Sequence, residues 1–466
     1  MIIKTRFAPS PTGFLHIGNI RTALYSWLFA KKFQGSFILR IEDTDSNRSC
    51  SKYSTHIIDT LNWLGLKWDE GPYFQSKKIE RYKDIINFLL EKNHAYRCYC
   101  SKNRIIKLRE QQLLKKEKPR YDGFCKNLKI QKNSTHVIRF KNPQNGTVIF
   151  QDKVRGEIIF NNSELDDVVI QRSNGLPTYN LCVIVDDYDT KITHVIRGED
   201  HINNTPRQIN ILNALKFTVP QYAHLSMITN EQKTNLSKRD CLTNILKYQK
   251  DGFFPESILN YLIRLGWSYK NQEIFSREEM IELFSLHSVK KSSSSFNLKK
   301  LLWINHYYLN KISINNLVVL FNEYCIKNKI ILYKNIDLKE IIILFKKRCS
   351  NIKELVKSCW YLYKNISNYD TNLLKKYVLI YKKEIFLSLI KKFLELNNWE
   401  QKNIVSFLKK YSLNNQLTMK DISMLLRVIL TNSINSPNIT SIIILLGRKK
   451  VLHRINFIIN AYIKKV

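Results

Sequence analysis

The chain has 466 residues, with 75 Lys and Arg against 39 Asp and Glu and a formal net charge of +36 at pH 7. That is too long for one ordinary hydrophobic core, and basic enough to suit a polyanion such as RNA. Lys, Asn and Ile crowd the whole sequence, as they do under A+T-rich codon drift, so charge alone identifies no partner. Nine cysteines, an odd number running from Cys50 to Cys359, argue against a secreted disulfide framework. A strand pattern that begins at Ile2 leaves no space for a leader, and apolar runs such as 442–446 fall short of the ~18 residues a membrane span needs. The expectation is a soluble, cytoplasmic protein without a membrane contact.

In chain order, residues 2–8 read as a buried strand and 9–13 as a turn. Ile17, Ile20, Ala23, Leu24, Trp27 and Leu28 then recur at helical spacing, and 37–41 supply a second strand. Strand, Gly-containing turn, helix and strand open a parallel α/β sheet of Rossmann type, whose ligands lie at the carboxyl ends of the strands. From 98 to 175 the pattern changes to a charged helix at 101–116 and short β-like runs at 137–140 and 147–150, read as an inserted domain. Residues 183–185, before Asp186 and Asp187, and 193–196, before an Arg-Gly-Glu-Asp run, read as a return to sheet strands.

After residue 267 only Pro437 and Gly447 punctuate the chain, which excludes a turn-rich β module and predicts an all-helical region. Leu338, Ile341, Ile342, Phe345 and Cys349 share one helical face. Ile352, Leu355, Val356, Cys359, Trp360 and Tyr363 share another. Both sets are assigned to the core, which leaves outward Lys and Arg to meet RNA. The division expected is a first half of the sheet domain at 1–97, an inserted domain at 98–175, a second half of the sheet domain at 176–240, a helical domain at 241–310 and an all-helical domain at 311–466.

Two motifs carry the chemistry. A helix opened by His16, Ile17, Gly18 and Asn19 offers a phosphate its N-terminal N–H groups, with Gly18 admitting a nucleotide close to the backbone. Far along the chain, Leu236, Ser237, Lys238 and Arg239 put a cation where it could meet a departing polyphosphate. Together they fit activation of a carboxylate by ATP. A carboxylate is already a nucleophile at pH 7, so positioning and charge stabilisation suffice, with no general base.

The stretches RFAPSPTGFLHIG at 6–18, RIEDTD at 40–45 and IRGEDHINNTPRQ at 196–208 resemble the glutamyl-tRNA synthetases of bacterial type, in the class I group. The resemblance is dense to about residue 310 and looser beyond. It implies ATP and Mg2+, L-glutamate and tRNA(Glu) as cofactors and partners, delivery to the 2′-hydroxyl of the terminal adenosine, and a monomer. It implies His16 and Lys238 as catalytic residues, with Pro9, Ser10, Thr12, Gly18, Asn19, Leu236, Ser237 and Arg239 completing the ATP site. Arg6 and Arg197 would face the glutamate carboxylates, and Ser10, Glu42 and Tyr179 its amino group and remaining polar edges.

Departures from the family pattern also stand in the sequence. Asn235 replaces the first lysine of the Lys-Leu-Ser-Lys-Arg loop, Asp240 and Cys241 replace the following His-Gly, and Val183 occupies the place of a further polar contact. Cys98, Cys100 and Cys125 resemble the family's zinc site, but Asn127 stands where its histidine would be. Two readings stay open: zinc with Tyr121 as fourth ligand, or three buried free thiols. Glutaminyl-tRNA synthetase, disfavoured by the helical C-terminal part, and a tRNA-binding relic without catalysis are the rival functions.

Overall fold

The computed structural model describes residues 2–44, 49–127, 135–230, 232, 234, 245–332 and 337–463. Two compact units emerge: Met1–Gln249 with Pro255–Leu301, and Lys250–Phe254 with Leu302–Val466.

The first unit is built on parallel strands. β1 (Lys4–Phe7), α1 (Ile17–Lys32), β2 (Ser36–Ile41), α2 (Ser51–Leu64) and β3 (Glu70–Phe74) alternate, and the sheet order is β1-β2-β3 with every pair parallel. All six apolar positions predicted for α1 are buried. The C-terminal end of the helix complements its dipole, with Lys31 and Lys32 in the last turn. Next come α3 (Ile79–Glu91), β4 (Ala95–Cys98), α4 (Lys102–Leu114), β5 (Val137–Phe140), β6 (Thr147–Asp152), β7 (Gly156–Asn161) and β8 (Val169–Gln171). The segment between 98 and 175 feeds two sheets. β5 pairs antiparallel with β4 and β8, whereas β6 and β7 extend a sheet of order β7-β6-β10-β9, where β9 is His194–Gly198 and β10 is Gln221–Leu225.

Residues 183–185 are not a strand. They lie inside α5 (Tyr179–Asp189), where every residue from Leu181 to Asp187 is buried. A helix covered on all sides loses its 3.6-residue alternation and reads like the continuous apolar run of a central strand. After β9 and α6 (Thr205–Ala214), β10 runs parallel to β9. The two halves of the fold join where Thr193 N–H donates to Lys4 O at 3.0 Å and Lys4 N–H to the Thr193 hydroxyl at 2.8 Å. Four strand ends, Phe7, Ile41, Gly198 and Leu225, thus open toward one edge. β11 (Ile228–Thr229), α7 (Ile245–Lys250), α8 (Pro255–Arg264), α9 (Arg277–Leu283), β12 (Ser294–Ser295, paired with β11) and α10 (Leu298–Lys311) follow.

Beyond α10, the described residues of the second unit form helices: α11 (Ile314–Lys327), α12 (Leu338–Phe345), α13 (Ile352–Ser358), α14 (Trp360–Tyr363), α15 (Thr371–Tyr377), α16 (Lys383–Leu394), α17 (Gln401–Asn414), α18 (Met419–Thr431) and α19 (Ile439–Ile458). Ile341, Ile342, Phe345, Ile352, Leu355, Val356 and Tyr363 share one core with Leu425 and Ile442, as their spacing requires. The predicted face from Ile352 to Tyr363 is spread over two helices, because the backbone leaves helical geometry at Cys359 (φ −109°, ψ 13°). The two punctuating residues have distinct uses. Pro437 precedes the Asn438 cap of α19, and Gly447 breaks that helix at φ 73°, a left-handed value that glycine adopts without penalty. Among the described residues, no helix is long and apolar enough to cross a membrane.

Candidate active site

The loops after β1, β2, β9 and β10 enclose a cavity of about 590 Å³ lined by Arg6, Pro9, Ser10, Thr12, His16, Gly18, Asn19, Glu42, Tyr179 and Arg197. Every predicted ATP and amino-acid residue with a described position therefore lines one space. Leu236, Ser237, Lys238 and Arg239, with Asn235, lie outside the described residues.

At the nucleotide end, His16 is the N-cap of α1. Its Nδ1 accepts from Gly18 N–H at 3.1 Å while Asn19 Oδ1 accepts from His16 N–H at 3.2 Å, a reciprocal capping box. Capping leaves the ring's other nitrogen available, since an accepting Nδ1 makes Nε2 the protonated nitrogen of the neutral ring. A Cβ at position 18 would stand 3.0 Å from His16 Cε1, so glycine is what lets the ring fold over the helix start. Arg21, one turn on, donates to the carbonyls of Ser226 and Leu265, and Glu199 accepts from Met227 N–H at 2.8 Å. These contacts fix the Ser226–Met227 wall of the cavity.

At the other end, charge is concentrated under the floor. Arg6 Nε donates to Asp187 Oδ1 at 3.2 Å, and Arg40 NH1 to the same oxygen at 2.7 Å. Asp186 accepts from Gln75 at 2.8 Å and Tyr82 at 3.0 Å, with Lys78 Nζ at 3.3 Å. Burial disfavours an ionised Asp187, but the Arg6 and Arg40 guanidiniums outweigh it and hold the carboxyl below its ordinary range. Breaking such a buried pair from one side typically costs about 3–5 kcal/mol. Glu42 fares differently, since its guanidinium contact with Arg40, at 3.5 Å, is shared with both aspartates. Burial, helped by Asp187 and Asp186, pushes its carboxyl up to about 7.

Arg197 is 5% exposed and held on three sides. Its Nε donates to His224 Nε2 at 3.2 Å, NH2 to Thr205 Oγ1 at 2.8 Å and NH1 to the Tyr179 hydroxyl at 3.4 Å. His201 Nδ1 lies 3.3 Å from that hydroxyl. Val183, at the position of the missing polar contact, is buried in an apolar cluster with Leu181 and Ile184. Sequence reasoning quoted His201 and Thr205 only as part of a longer motif. It missed Asp152 and His224 altogether, since neither belongs to a recognisable run.

The thiols form a separate cluster. Cys98, Cys100 and Cys125 sulfurs all lie within 4.8 Å of one another, with Cys100 and Cys125 at 3.5 Å. The Tyr121 hydroxyl stands 3.3 Å from Cys98 Sγ and 3.4 Å from Cys100 Sγ. A tetrahedral ion with bonds of ~2.3 Å to sulfur has ligand–ligand edges of roughly 3.7 Å; the three separations of 3.3, 3.4 and 3.5 Å lie near that edge, while the sulfurs as a group spread over up to 4.8 Å. Asn127 is exposed and outside the cluster of buried residues. Burial and the neighbouring thiols raise the Tyr121 phenol well above its ordinary range, so it would ligate only where a metal supplied the opposing charge.

Comparison with known proteins agrees with this geometry. The family model for the catalytic domain of tRNA synthetases class I (E and Q) matches residues 2–303, and one for an anticodon binding domain matches 316–459. The chain is 53% identical over 468 residues to the glutamate–tRNA ligase of Buchnera aphidicola subsp. Acyrthosiphon pisum (strain APS), covering 100% of both chains. Against that of Buchnera aphidicola subsp. Cinara cedri (strain Cc) the identity is 51% over 468 residues, with 98% of each covered. Among solved structures, a glutamate tRNA ligase from Elizabethkingia meningosepticum CCUG26117, in complex with its amino acid, superposes with a TM-score of 0.86 at 28% identity, covering 99% of this chain and 100% of that one. The glutamate-tRNA synthetase of Elizabethkingia anophelis gives 0.85 at 29%, with the same coverage. Sheet, cavity and full-length similarity agree: the chain belongs to the class I tRNA synthetases of the glutamate and glutamine family.

Proposed function

We propose that the chain is a glutamate–tRNA ligase, which joins L-glutamate to ATP and then to the 3′-terminal adenosine of tRNA(Glu). The reading is carried by one observation: a histidine-capped helix start and the Arg6, Glu42, Tyr179 and Arg197 side chains line a single cavity. The full-length relatives named above support it. In the first step an oxygen of the substrate α-carboxylate forms a bond to the α-phosphorus and pyrophosphate leaves. In the second, a ribose hydroxyl of tRNA takes the acyl group and AMP leaves.

Both steps need little acid–base chemistry from the protein, which instead orients and stabilises charge. The His16 ring and the N–H groups that open α1 would face phosphate oxygens, and Pro9, Ser10, Thr12, Gly18 and Asn19 would surround the nucleotide. ATP would arrive with Mg2+ as its counter-ion. Arg6 and Arg197 would meet the substrate carboxylates, while Glu42, Ser10 and Tyr179 would take the ammonium and remaining polar edges. Lys238, with Leu236, Ser237 and Arg239, is assigned to the leaving pyrophosphate on motif grounds alone. Zinc on Cys98, Cys100, Cys125 and Tyr121 would brace the segment that follows β4. The helical second unit is assigned to the anticodon, which disfavours the glutaminyl enzyme. A monomer in the cytoplasm is the matching expectation.

ATP–pyrophosphate exchange with glutamate, in the presence of tRNA, is the test. Exchange is expected, and Arg197→Ala should raise the glutamate KM tenfold or more, on the order of a lost charged hydrogen bond, with the ATP KM little changed. Intact tRNA binding without exchange would instead favour a relic. Equal losses for both substrates would remove Arg197 from the amino-acid site.

A further inference from the structure

Three adjacent parallel strands place Asp152, His224 and Arg197 side by side. His224 on β10 is in register with Arg197 on β9, and the neighbouring Tyr222 on β10 is in register with Asp152, the last residue of β6. His224 is 0% exposed and Asp152 4%, so neither reaches solvent.

The hydrogen bonds dictate protonation. Arg197 Nε can only donate, so His224 Nε2, 3.2 Å away, must accept; the Thr205 hydroxyl, 3.1 Å from the same nitrogen and accepting from Arg197 NH2, then donates to it as well. The ring is then neutral with its proton on Nδ1, and that proton points at Asp152 Oδ2, 2.6 Å away. Asp152 is itself fixed, because its Oδ1 accepts from Val154 N–H at 2.9 Å and Arg155 N–H at 2.8 Å while Oδ2 also accepts from His224 N–H at 3.0 Å. The opposite tautomer would set two N–H groups against each other at Arg197. With Nε held by His224, NH2 by Thr205 and NH1 by Tyr179, the guanidinium keeps one rotamer in the cavity lining.

We propose that Asp152 and His224 are positioning residues for amino-acid recognition. Asp152 sets the tautomer of His224, His224 holds the Nε edge of Arg197, and Arg197 presents its outer edge to the substrate carboxylate. None of the three needs to exchange a proton during the reaction; the relay is an electrostatic brace built before substrate arrives. It rests on the glutamate-activating reading above.

The test compares exchange kinetics of the full chain with those of His224→Leu, His224→Gln and Asp152→Asn, with tRNA present. His224→Leu should raise the glutamate KM roughly tenfold or more and leave the ATP KM within about twofold. His224→Gln can offer an amide oxygen near the Nε2 position and should recover most of that loss. Asp152→Asn keeps the side-chain volume and an oxygen for the Val154 and Arg155 N–H groups, which also lies 3.3 Å from the His224 backbone N–H and can take it over, while its NH2 group faces Nδ1 and drives the proton to Nε2; a thermal melt checks that the fold is kept. It should mimic the leucine variant in KM, and 15N spectra of histidine-labelled protein should show the His224 tautomer reversed.

If Leu and Gln variants behave alike, if both KM values rise together, or if Asp152→Asn reverses the tautomer without moving the glutamate KM, the brace is refuted while the activity assignment stands. A wild-type chain that shows no glutamate-dependent exchange with ATP and tRNA present would overturn both.

Discussion

Glu42 carries two demands that conflict. Its buried place in the cavity lining, beside Asp186 and Asp187, favours the proton, whereas the ammonium role proposed for it would need the anion. With its carboxyl pushed up to about 7, the ionised fraction falls about tenfold between about pH 8 and pH 6. The sign follows directly: lower pH neutralises the acceptor, so the glutamate KM should climb as pH drops through 7 while the ATP KM stays flat. Glu42→Gln should give a high glutamate KM without that slope, and steady-state kinetics across this range would reveal it. A wild-type KM that is level from pH 8 to pH 6 would remove Glu42 from the ammonium. At this scale the sequence brought to one cavity the residues that sit inside a dense motif, as Arg6, His16, Glu42 and Arg197 do. Asp152 and His224 were not readable, because their meaning comes from three strands pairing side by side, and the 72 positions that separate them carry no local signature.

Elements were legible where one face met water. The helices of the second unit show their period plainly, whereas β2, buried almost throughout, was readable only as a short apolar run, and α5, buried as fully over Leu181–Asp187, passed for a strand for the same reason. The segment from β4 to Cys125 is a subtler case: spacing suggested three thiols, but only the fold shows the Tyr121 hydroxyl within 3.4 Å of two of them. Arg139 lies 3.8 Å over that ring and Arg104 NH1 lies 3.5 Å from Cys100 Sγ, two cations that suit a thiolate cluster. The protein as purified should therefore carry about one zinc per chain. Tyr121→Phe and Cys125→Ser should each lower that content, as measured by plasma emission spectrometry. Less than about a tenth of an equivalent in the wild type would identify the cluster as buried free thiols, since a closed structural site of this kind holds its ion tightly.

For the whole molecule, charge sets the behaviour toward RNA. The apolar residues of the second unit form its core, while Lys375, Lys376, Lys391, Lys392, Lys409 and Lys410 are exposed. Phosphate contacts by such residues release counterions, so tRNA affinity should fall at least about tenfold between about 50 and 200 mM salt. Filter binding would measure it, and Lys409→Glu with Lys410→Glu should flatten the slope if these lysines touch phosphate. Codon drift explains part of the net charge, and an affinity indifferent to salt would mean that drift explains nearly all of it. Helix α5 adds a constraint of its own. Tyr179 in its first turn looks into the cavity, and Asp186 and Asp187 in its last two turns clamp the arginines of β1 and β2. A redesign toward another amino acid therefore has latitude at one end of this rod only, since sliding or rotating it to remodel the pocket would strand two guanidiniums in the interior.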